Sequence, residues 1–346
     1  MKKILSLIIT LFILLPYLAV LSSAEVGGLS LCANSAILAD AETGKVLFEK
    51  SADKVLPMAS TTKIMTALVA IENCPLEKVV TVDDRAVGTE GSSVYLQKGE
   101  KMTMEDLVYS LLLQSANDAA AAIAFEISGS IEGFAGLMNK KAESLGLKST
   151  HFTNPHGLDD DNHHTTAREL MLICAEALKN KTFAKAVSTV KHTVSGNRTL
   201  VNHNRLLRTY DGCIGVKTGF TKKCGRCLVS AAKRNGTTLI CVTLNDPDDW
   251  NDHRKLFDFG FSAYDMVVLS GESGIVFDVP TWDGKTVRVK TSGASSLLMP
   301  SNHGKITVTV ELPHFFMNKP DKGKYAGIIS FFCDGKIIKK EKLYAE

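Results

Sequence analysis

The sequence predicts an α+β protein, an antiparallel sheet with covering helices, followed by a small all-β region. Three observations predict it. Short β-prone runs with turn residues between them lie near both ends of the first 264 residues. Ala- and Leu-rich stretches with helical periodicity fill the space between those runs. After Tyr264 only short alternating runs remain, broken by Gly, Pro, Asp or Asn.

The elements follow in chain order. Met1-Lys2-Lys3 precedes an apolar run from Ile4 to Leu21, and Ser22-Ser23-Ala24 then supplies small residues before Glu25. A charged start, an apolar core and a small-residue exit describe a secretory signal over 1–24. The chain beyond it is expected outside the cytoplasmic membrane, in the cell envelope or the medium. Ser35 to Leu38 and Lys45 to Phe48, joined by Glu42-Thr43-Gly44, read as a hairpin. Ser60 to Asn73 reads as a helix with Ile64, Leu68 and Ile71 on one face and Pro57 just ahead of it. Met104 to Ser128, Ile131 to Leu145 and Thr166 to Leu178 are further helical stretches. Cys213 to Phe220, Cys227 to Lys233 and Thr237 to Leu244 form a meander, and Trp250 to Tyr264 closes with a helix. Strands at both ends with helices between them predict one sheet built from both ends of residues 25–264. Residues 265–346 form the small β-rich domain, with strands near 274–279, 285–291, 305–312, 327–333 and 337–343.

The bulk properties narrow the function. With 346 residues, 45% apolar and 22% charged, the chain has the composition of a globular protein long enough for two domains. Removing Lys2 and Lys3 lowers the net charge from +3 to +1, which gives no reason to expect a nucleic-acid partner. All eight cysteines follow Ala24. Cys174, Cys241 and Cys333 lie inside apolar stretches, as small core hydrophobes do. Cys224-Gly225-Arg226-Cys227 has the spacing of a metal or redox pair, but no second such group completes a zinc site. No metal or cofactor is expected.

Three short segments carry chemistry. Ser60 and Lys63, three apart at a helix start, lie on one face. A serine hydroxyl needs a base to become a nucleophile, and a lysine serves once burial or a second cation lowers its pKa. Alone, that pair also describes a capping serine followed by a surface lysine. Ser115 and Asn117 offer a hydroxyl and an amide at a break in helical sequence: one can pass a proton, the other can hold Lys63 or a substrate amide. Lys217-Thr218-Gly219-Phe220 lies on a β-strand, where Gly219 admits close approach of a ligand backbone. Such a strand can pair with an extended peptide while Lys217 and Thr218 meet a carboxylate.

S-x-x-K, S-x-N and K-T-G in this order resemble the penicillin-binding protein and serine β-lactamase superfamily. PMASTTKIMTALVA, SANDAAAAIA, FTNPHGLDDDNHHTTAREL and GVKTGFTKKCGRCLVSAAKRNG look like the low-molecular-mass D-alanyl-D-alanine carboxypeptidases, and so does the β-rich C-terminal segment. The resemblance implies a β-lactamase/transpeptidase-like first domain. It also implies removal of the terminal D-alanine from peptidoglycan stem peptides ending in D-Ala-D-Ala, with β-lactam antibiotics as covalent inhibitors. Ser60 would form the acyl-enzyme and Lys63 would act as base. Ser115 and Asn117 would relay protons and position substrate, and Lys217 and Thr218 would bind the carboxylate. Backbone N–H groups of Ser60 and Phe220 would form the oxyanion hole beside Gly219, and Arg254 would assist at the carboxylate. His151, His156, His163 and His164 are read as loop structure, since this acyl transfer needs no metal.

Three rival activities remain: a β-lactamase, a non-catalytic penicillin-binding or sensing module, and a transpeptidase in which an amine attacks in place of water. Between Asn117 and Lys217, Glu143 is followed by Ser-Leu-Gly-Leu and Glu169 by Leu-Met-Leu-Ile, and neither completes an E-x-x-x-N. Slow release of penicillin is therefore expected. Many relatives end in an amphipathic helix on the membrane, whereas this sequence stops directly after a predicted strand. Membrane association is expected only through the N-terminal segment.

Overall fold

The helical layer and the sheet are both organised around the segment that carries Ser60. The computed structural model describes residues 29–346; the predicted export segment, 1–24, lies outside the described residues. Strands β1 (Ser35–Asp40) and β2 (Val46–Lys50) form the predicted hairpin, with Leu38 opposite Phe48. A 3-10 turn, Ala59–Thr62, leads into α1 (Lys63–Asn73), so the predicted helix begins with a tighter turn at its functional end. Ile64, Met65 and Leu68 of α1 are buried in the core, each worth about 2 kcal/mol relative to exposure. Strands β3 (Val79–Thr81) and β4 (Lys101–Thr103) pair with each other, a ribbon too short for its alternation to stand out in the sequence.

Next come α2 (Met104–Leu113), α3 (Asn117–Ser128), α4 (Ile131–Ser144), α5 (Ala167–Lys179) and α6 (Lys181–Ser188). Thr103 caps α2 by accepting from Asp106 N–H at 3.0 Å, and Thr166 caps α5 by accepting from Glu169 N–H at 3.1 Å. Gly129 ends α3 at φ +76, a left-handed stop that glycine adopts without penalty. A small hairpin, β5 (Lys191–Val194) and β6 (Arg198–Val201), and the single turn α7 (Leu206–Thr209) precede the meander.

The meander is β7 (Cys213–Thr221), β8 (Gly225–Arg234) and β9 (Thr237–Leu244). It joins the first hairpin in one five-stranded antiparallel sheet of order β2-β1-β9-β8-β7. Pairing of Ile37 with Val242 stitches the two ends of the region together. Strand alternation puts Ile37, Ala39, Val229 and Val242 on the face that packs with α1–α6. On the other face, α8 (Asp249–Ala263) lies so close that a Cβ on Gly260 would meet Leu38 Cδ2 at 2.8 Å. His253 of α8 is buried and joins Ser230 of β8 and Thr243 of β9, which fixes that helix to the sheet.

From Tyr264 the chain is strands: β10 (Tyr264–Ser270), β11 (Val276–Pro280), β12 (Thr286–Lys290), β13 (Ser295–Pro300), β14 (Ile306–Glu311), β15 (Tyr325–Cys333) and β16 (Lys336–Ala345). Five form a sheet of order β11-β12-β16-β15-β14, and β10 pairs with β13. The β10–β13 pair is absent from the sequence reading, because Asp265 and the run of small polar residues before β13 mask its pattern. Val279, Val287 and Val289 form one apolar cluster of this region, and Ile329, Phe331 and Leu343 form a second.

Candidate active site

Ser60 lies in the 3-10 turn, and the backbone around it is held by its neighbours. Ala59 has φ +48, left-handed backbone that a residue with a Cβ rarely adopts. Thr61 Oγ1 donates to Met58 O at 2.6 Å, and Thr62 Oγ1 donates to Ala59 O at 2.7 Å. His163 completes this brace. Thr153 N–H donates to its Nδ1 at 3.1 Å, which leaves Nε2–H to face Thr62 Oγ1 at 2.7 Å. Burial pushes His163 down to about 4, so the ring is neutral and keeps that tautomer.

Lys63 is completely buried one helical turn beyond Ser60. Its Nζ lies 2.9 Å from Ser60 Oγ and 2.6 Å from Asn117 Oδ1, and it also hydrogen-bonds His156 O. A neutral amine has two N–H donors and one lone pair. Asn117 Oδ1 and His156 O take the two donors, and the lone pair is left for the Ser60 hydroxyl. The electrostatics favour that state. Burial first, and the nearby Lys217 second, hold the amine well below the usual lysine range, against an opposing pull from Asp118.

The chain segments that supply these partners are themselves anchored. Asn117 N–H donates to Ser92 O at 2.7 Å, and Asn117 Nδ2 donates to Glu90 O at 2.5 Å. The buried Asp118 carboxylate accepts from Ser93 Oγ at 2.5 Å and from Leu96 N–H at 3.0 Å. Residues 90–96 are thereby bolted to the start of α3. On the other side Thr66 Oγ1 donates to Pro155 O at 2.6 Å, and Gly157 N–H donates to Asn154 Oδ1 at 2.7 Å. Gly157 has φ +83, and a Cβ there would lie 2.0 Å from Ala59 O. Only glycine lets this loop press on the nucleophile's turn.

Ser115 occupies the break between α2 and α3 at φ +60 and is buried. Its Oγ makes no hydrogen bond among the described residues. Lys217 of β7 is buried with its Nζ donating to Thr218 O at 2.8 Å, and burial pushes it down to about 7. Strand β7 is the last in its sheet, so one edge is open for pairing. Gly219 lies against the nucleophile's backbone: a Cβ there would come within 3.1 Å of both Ser60 N and Thr61 N. Thr218 is half-buried, and Phe220 is 64% exposed.

Arg254 sits apart from these contacts. Its guanidinium donates to Asn251 Oδ1 at 3.2 Å and Thr209 Oγ1 at 3.0 Å, and none of its hydrogen bonds reaches Ser60, Lys63 or Lys217. Glu169 caps the 148–150 turn, accepting from Lys148 N–H at 2.8 Å and from Thr150 Oγ1 at 2.5 Å. Sequence reasoning missed the His156 carbonyl, the Asp118 anchor and the His163 brace. For the first the only signal was the Asn-Pro-His-Gly turn at 154–157.

A family model for D-alanyl-D-alanine carboxypeptidase matches residues 22–248. The D-alanyl-D-alanine carboxypeptidase DacF of Bacillus subtilis is 33% identical over 330 residues, covering 91% of this chain and 85% of that protein. Penicillin binding protein 5 from Haemophilus influenzae superposes with a TM-score of 0.78 at 26% identity, over 92% of this chain and 98% of its own. The Streptomyces K15 DD-transpeptidase gives 0.65 at 35% identity, over 68% of this chain and 99% of its own.

Proposed function

The chain belongs to the D-alanyl-D-alanine carboxypeptidase family, and on that premise we propose how its residues divide the work. It is a serine-type carboxypeptidase that acts on peptides ending in D-Ala-D-Ala. The observation that carries the assignment is the buried Lys63 Nζ at 2.9 Å from Ser60 Oγ.

The substrate's last residues lie along the open edge of β7, with the terminal carboxylate at Lys217 and Thr218. Ser60 Oγ attacks the carbonyl of the penultimate D-alanine while its proton passes to neutral Lys63. The carbonyl oxygen turns into the N–H groups of Ser60 and Phe220, which lie in reach because Gly219 has no side chain. Ser115 passes a proton on to the departing D-alanine amine, and Asn117 holds the substrate amide and Lys63 together. Water then attacks the acyl-enzyme with Lys63 again as base. Arg254 acts through Thr209 beside β7, as a positioning residue for the carboxylate end.

Penicillin presents the same carboxylate and carbonyl, and acylates Ser60. Release is slow, because Glu169 is taken up by the 148–150 turn and Glu176, which opens a Glu-Ala-Leu-Lys-Asn run, pairs with Lys179 and Lys141. We place the signal segment at 1–24, the catalytic region at 25–264 and a β-rich accessory region at 265–346, with the enzyme working on the outer face of the cytoplasmic membrane.

The test is labelling by fluorescent penicillin together with D-alanine release from a pentapeptide, for wild type and Ser60→Ala. Wild type performs both and the variant neither. A variant that still binds label covalently removes Ser60 as the nucleophile. A wild type that labels yet releases no D-alanine is a sensing module.

A further inference from the structure

The acyl-transfer chemistry leaves one close pair of buried thiols unused. Cys224 ends the turn between β7 and β8, and Cys227 lies near the start of β8; both are buried, and their sulfurs are 3.3 Å apart. The pair adjoins the chain just ahead of Ser60. Cys224 Sγ lies 3.0 Å from Pro57 O and Cys227 Sγ lies 4.0 Å from it. Among the described residues, these thiols supply the hydrogen bonds that Pro57 O receives. Cys227 is also the cross-strand partner of Gly219, the residue packed against Ser60 N. The dithiol therefore touches the nucleophile's segment from two directions.

We propose that Cys224 and Cys227 are a thiol–disulfide modification site that sets the rate at which Ser60 is acylated. The effect on acylation rests on Ser60 as the nucleophile. The co-reactant is a disulfide of the surrounding medium or of a protein partner. The Cys227 hydrogen bond and burial hold the Cys224 thiol above its usual range, so attack follows opening of the turn. One cysteine, exposed to water and deprotonated, attacks the disulfide, forming a mixed disulfide and releasing one thiol. The second cysteine attacks the mixed disulfide and releases the other. Two protons leave the pair, and its two electrons reduce the incoming disulfide.

Access comes through the turn. Lys222 and Lys223 are exposed, and on its outer side the turn is held by the exposed contacts Thr221–Asp159 and Lys223–Asp161. Such surface contacts are weak. Closing the bond brings the sulfurs to about 2.05 Å, more than an ångström nearer than the thiols stand. It also removes the S–H groups, so Pro57 O loses its donors. The disulfide form is expected to acylate about two- to tenfold more slowly, the value of one lost hydrogen bond.

The experiment equilibrates the purified protein in glutathione buffers of stepped redox ratio and splits each sample. One half is alkylated and digested with trypsin without reductant. Cleavage after Lys223, Arg226 and Lys233 leaves Cys224–Arg226 and Cys227–Lys233 as separate peptides unless a disulfide joins them. The other half is timed for penicillin labelling. The linked fraction and the slowing should rise together, and Cys227→Ala should label at a rate indifferent to the redox ratio. The proposal is overturned by absence of linked peptides at the most oxidising ratio, by linkage without slowing, or by a Cys227→Ala variant that responds as wild type does. A protein that takes no penicillin at any ratio fails the Ser60 reading instead, and the linked-peptide fraction then decides the modification site alone.

Discussion

At the scale of single residues, two buried lysines are asked to hold opposite charge states. Lys63 serves as a base only when neutral, and Lys217 attracts a carboxylate only when protonated. Burial lowers both, and Lys217 stands at about 7. Raising the pH through 7 therefore discharges Lys217 in the free enzyme. A bound carboxylate raises its pKa again, so kcat/KM should fall on the alkaline side while kcat stays flat. Pre-steady-state pH profiles check this, and an alkaline limb equally strong in kcat would contradict it. Stability has the complementary sign. The folded lysine sits below its ordinary 10.5, so its cost to the fold is complete below about pH 7 and fades as pH rises toward 10.5. Lys217→Met should flatten that slope in urea titrations and stabilise the protein by about 1–4 kcal/mol at neutral pH. The same change should lower kcat/KM by about 10² or more. Lys63→Arg is the sharper probe of base chemistry. It keeps a cation that cannot be deprotonated, so acylation should drop by about 10²–10⁴.

Elements matter because none of the site's geometry is held by one of them alone. The 3-10 turn and the start of α1 supply Ser60 and Lys63, the α2–α3 break supplies Ser115 and Asn117, and β7 supplies the proposed binding edge. Loop 154–158 locks these together through Gly157 and the His156 carbonyl. Gly157→Ala forces a Cβ into Ala59 O in a left-handed backbone. It should destabilise by about 2 kcal/mol or more and slow labelling disproportionately. Thermal melts alongside labelling rates separate the two effects. Asp118→Asn should instead loosen residues 93–96, raising KM more than it lowers kcat. Much of this was legible in sequence where the determinants are local. Ser60 and Lys63 lie within one turn, and the β7–β9 meander has its own turn residues. The rest depends on what the fold brings together. His156 acts through a carbonyl that every residue type possesses, and Asp118 reads as an ordinary acidic first-turn residue until the 90–96 loop folds onto it.

For the whole molecule, the question is what residues 264–346 contribute. Their contacts with the preceding region include Lys45 Nζ donating to Leu298 O at 2.8 Å and Ser301 N–H donating to Ala263 O at 2.8 Å. No site side chain hydrogen-bonds to them. The Streptomyces K15 chain aligns over 68% of this one while using 99% of itself. A protein ending at Tyr264 should therefore keep penicillin labelling within about threefold of the full chain, the scale of a surface change. Loss of labelling in a truncated protein that still melts cooperatively would assign the β-rich region a part in catalysis. Sequence texture made this region's strand content plain. It left β10 and β13 hidden, since residues 271–294 lie between the two strands and no local turn announces their pairing.

The missing side chain at Gly219 has a consequence for resistance to antibiotics. In the mechanism proposed above, the space that lets a peptide carbonyl reach the Ser60 and Phe220 amides is also the space a lactam carbonyl would use. A substitution that walls off the drug there also walls off the cell-wall peptide. Escape by mutation is then pushed to positions that distinguish a rigid bicycle from a flexible chain, farther out along the β7 edge.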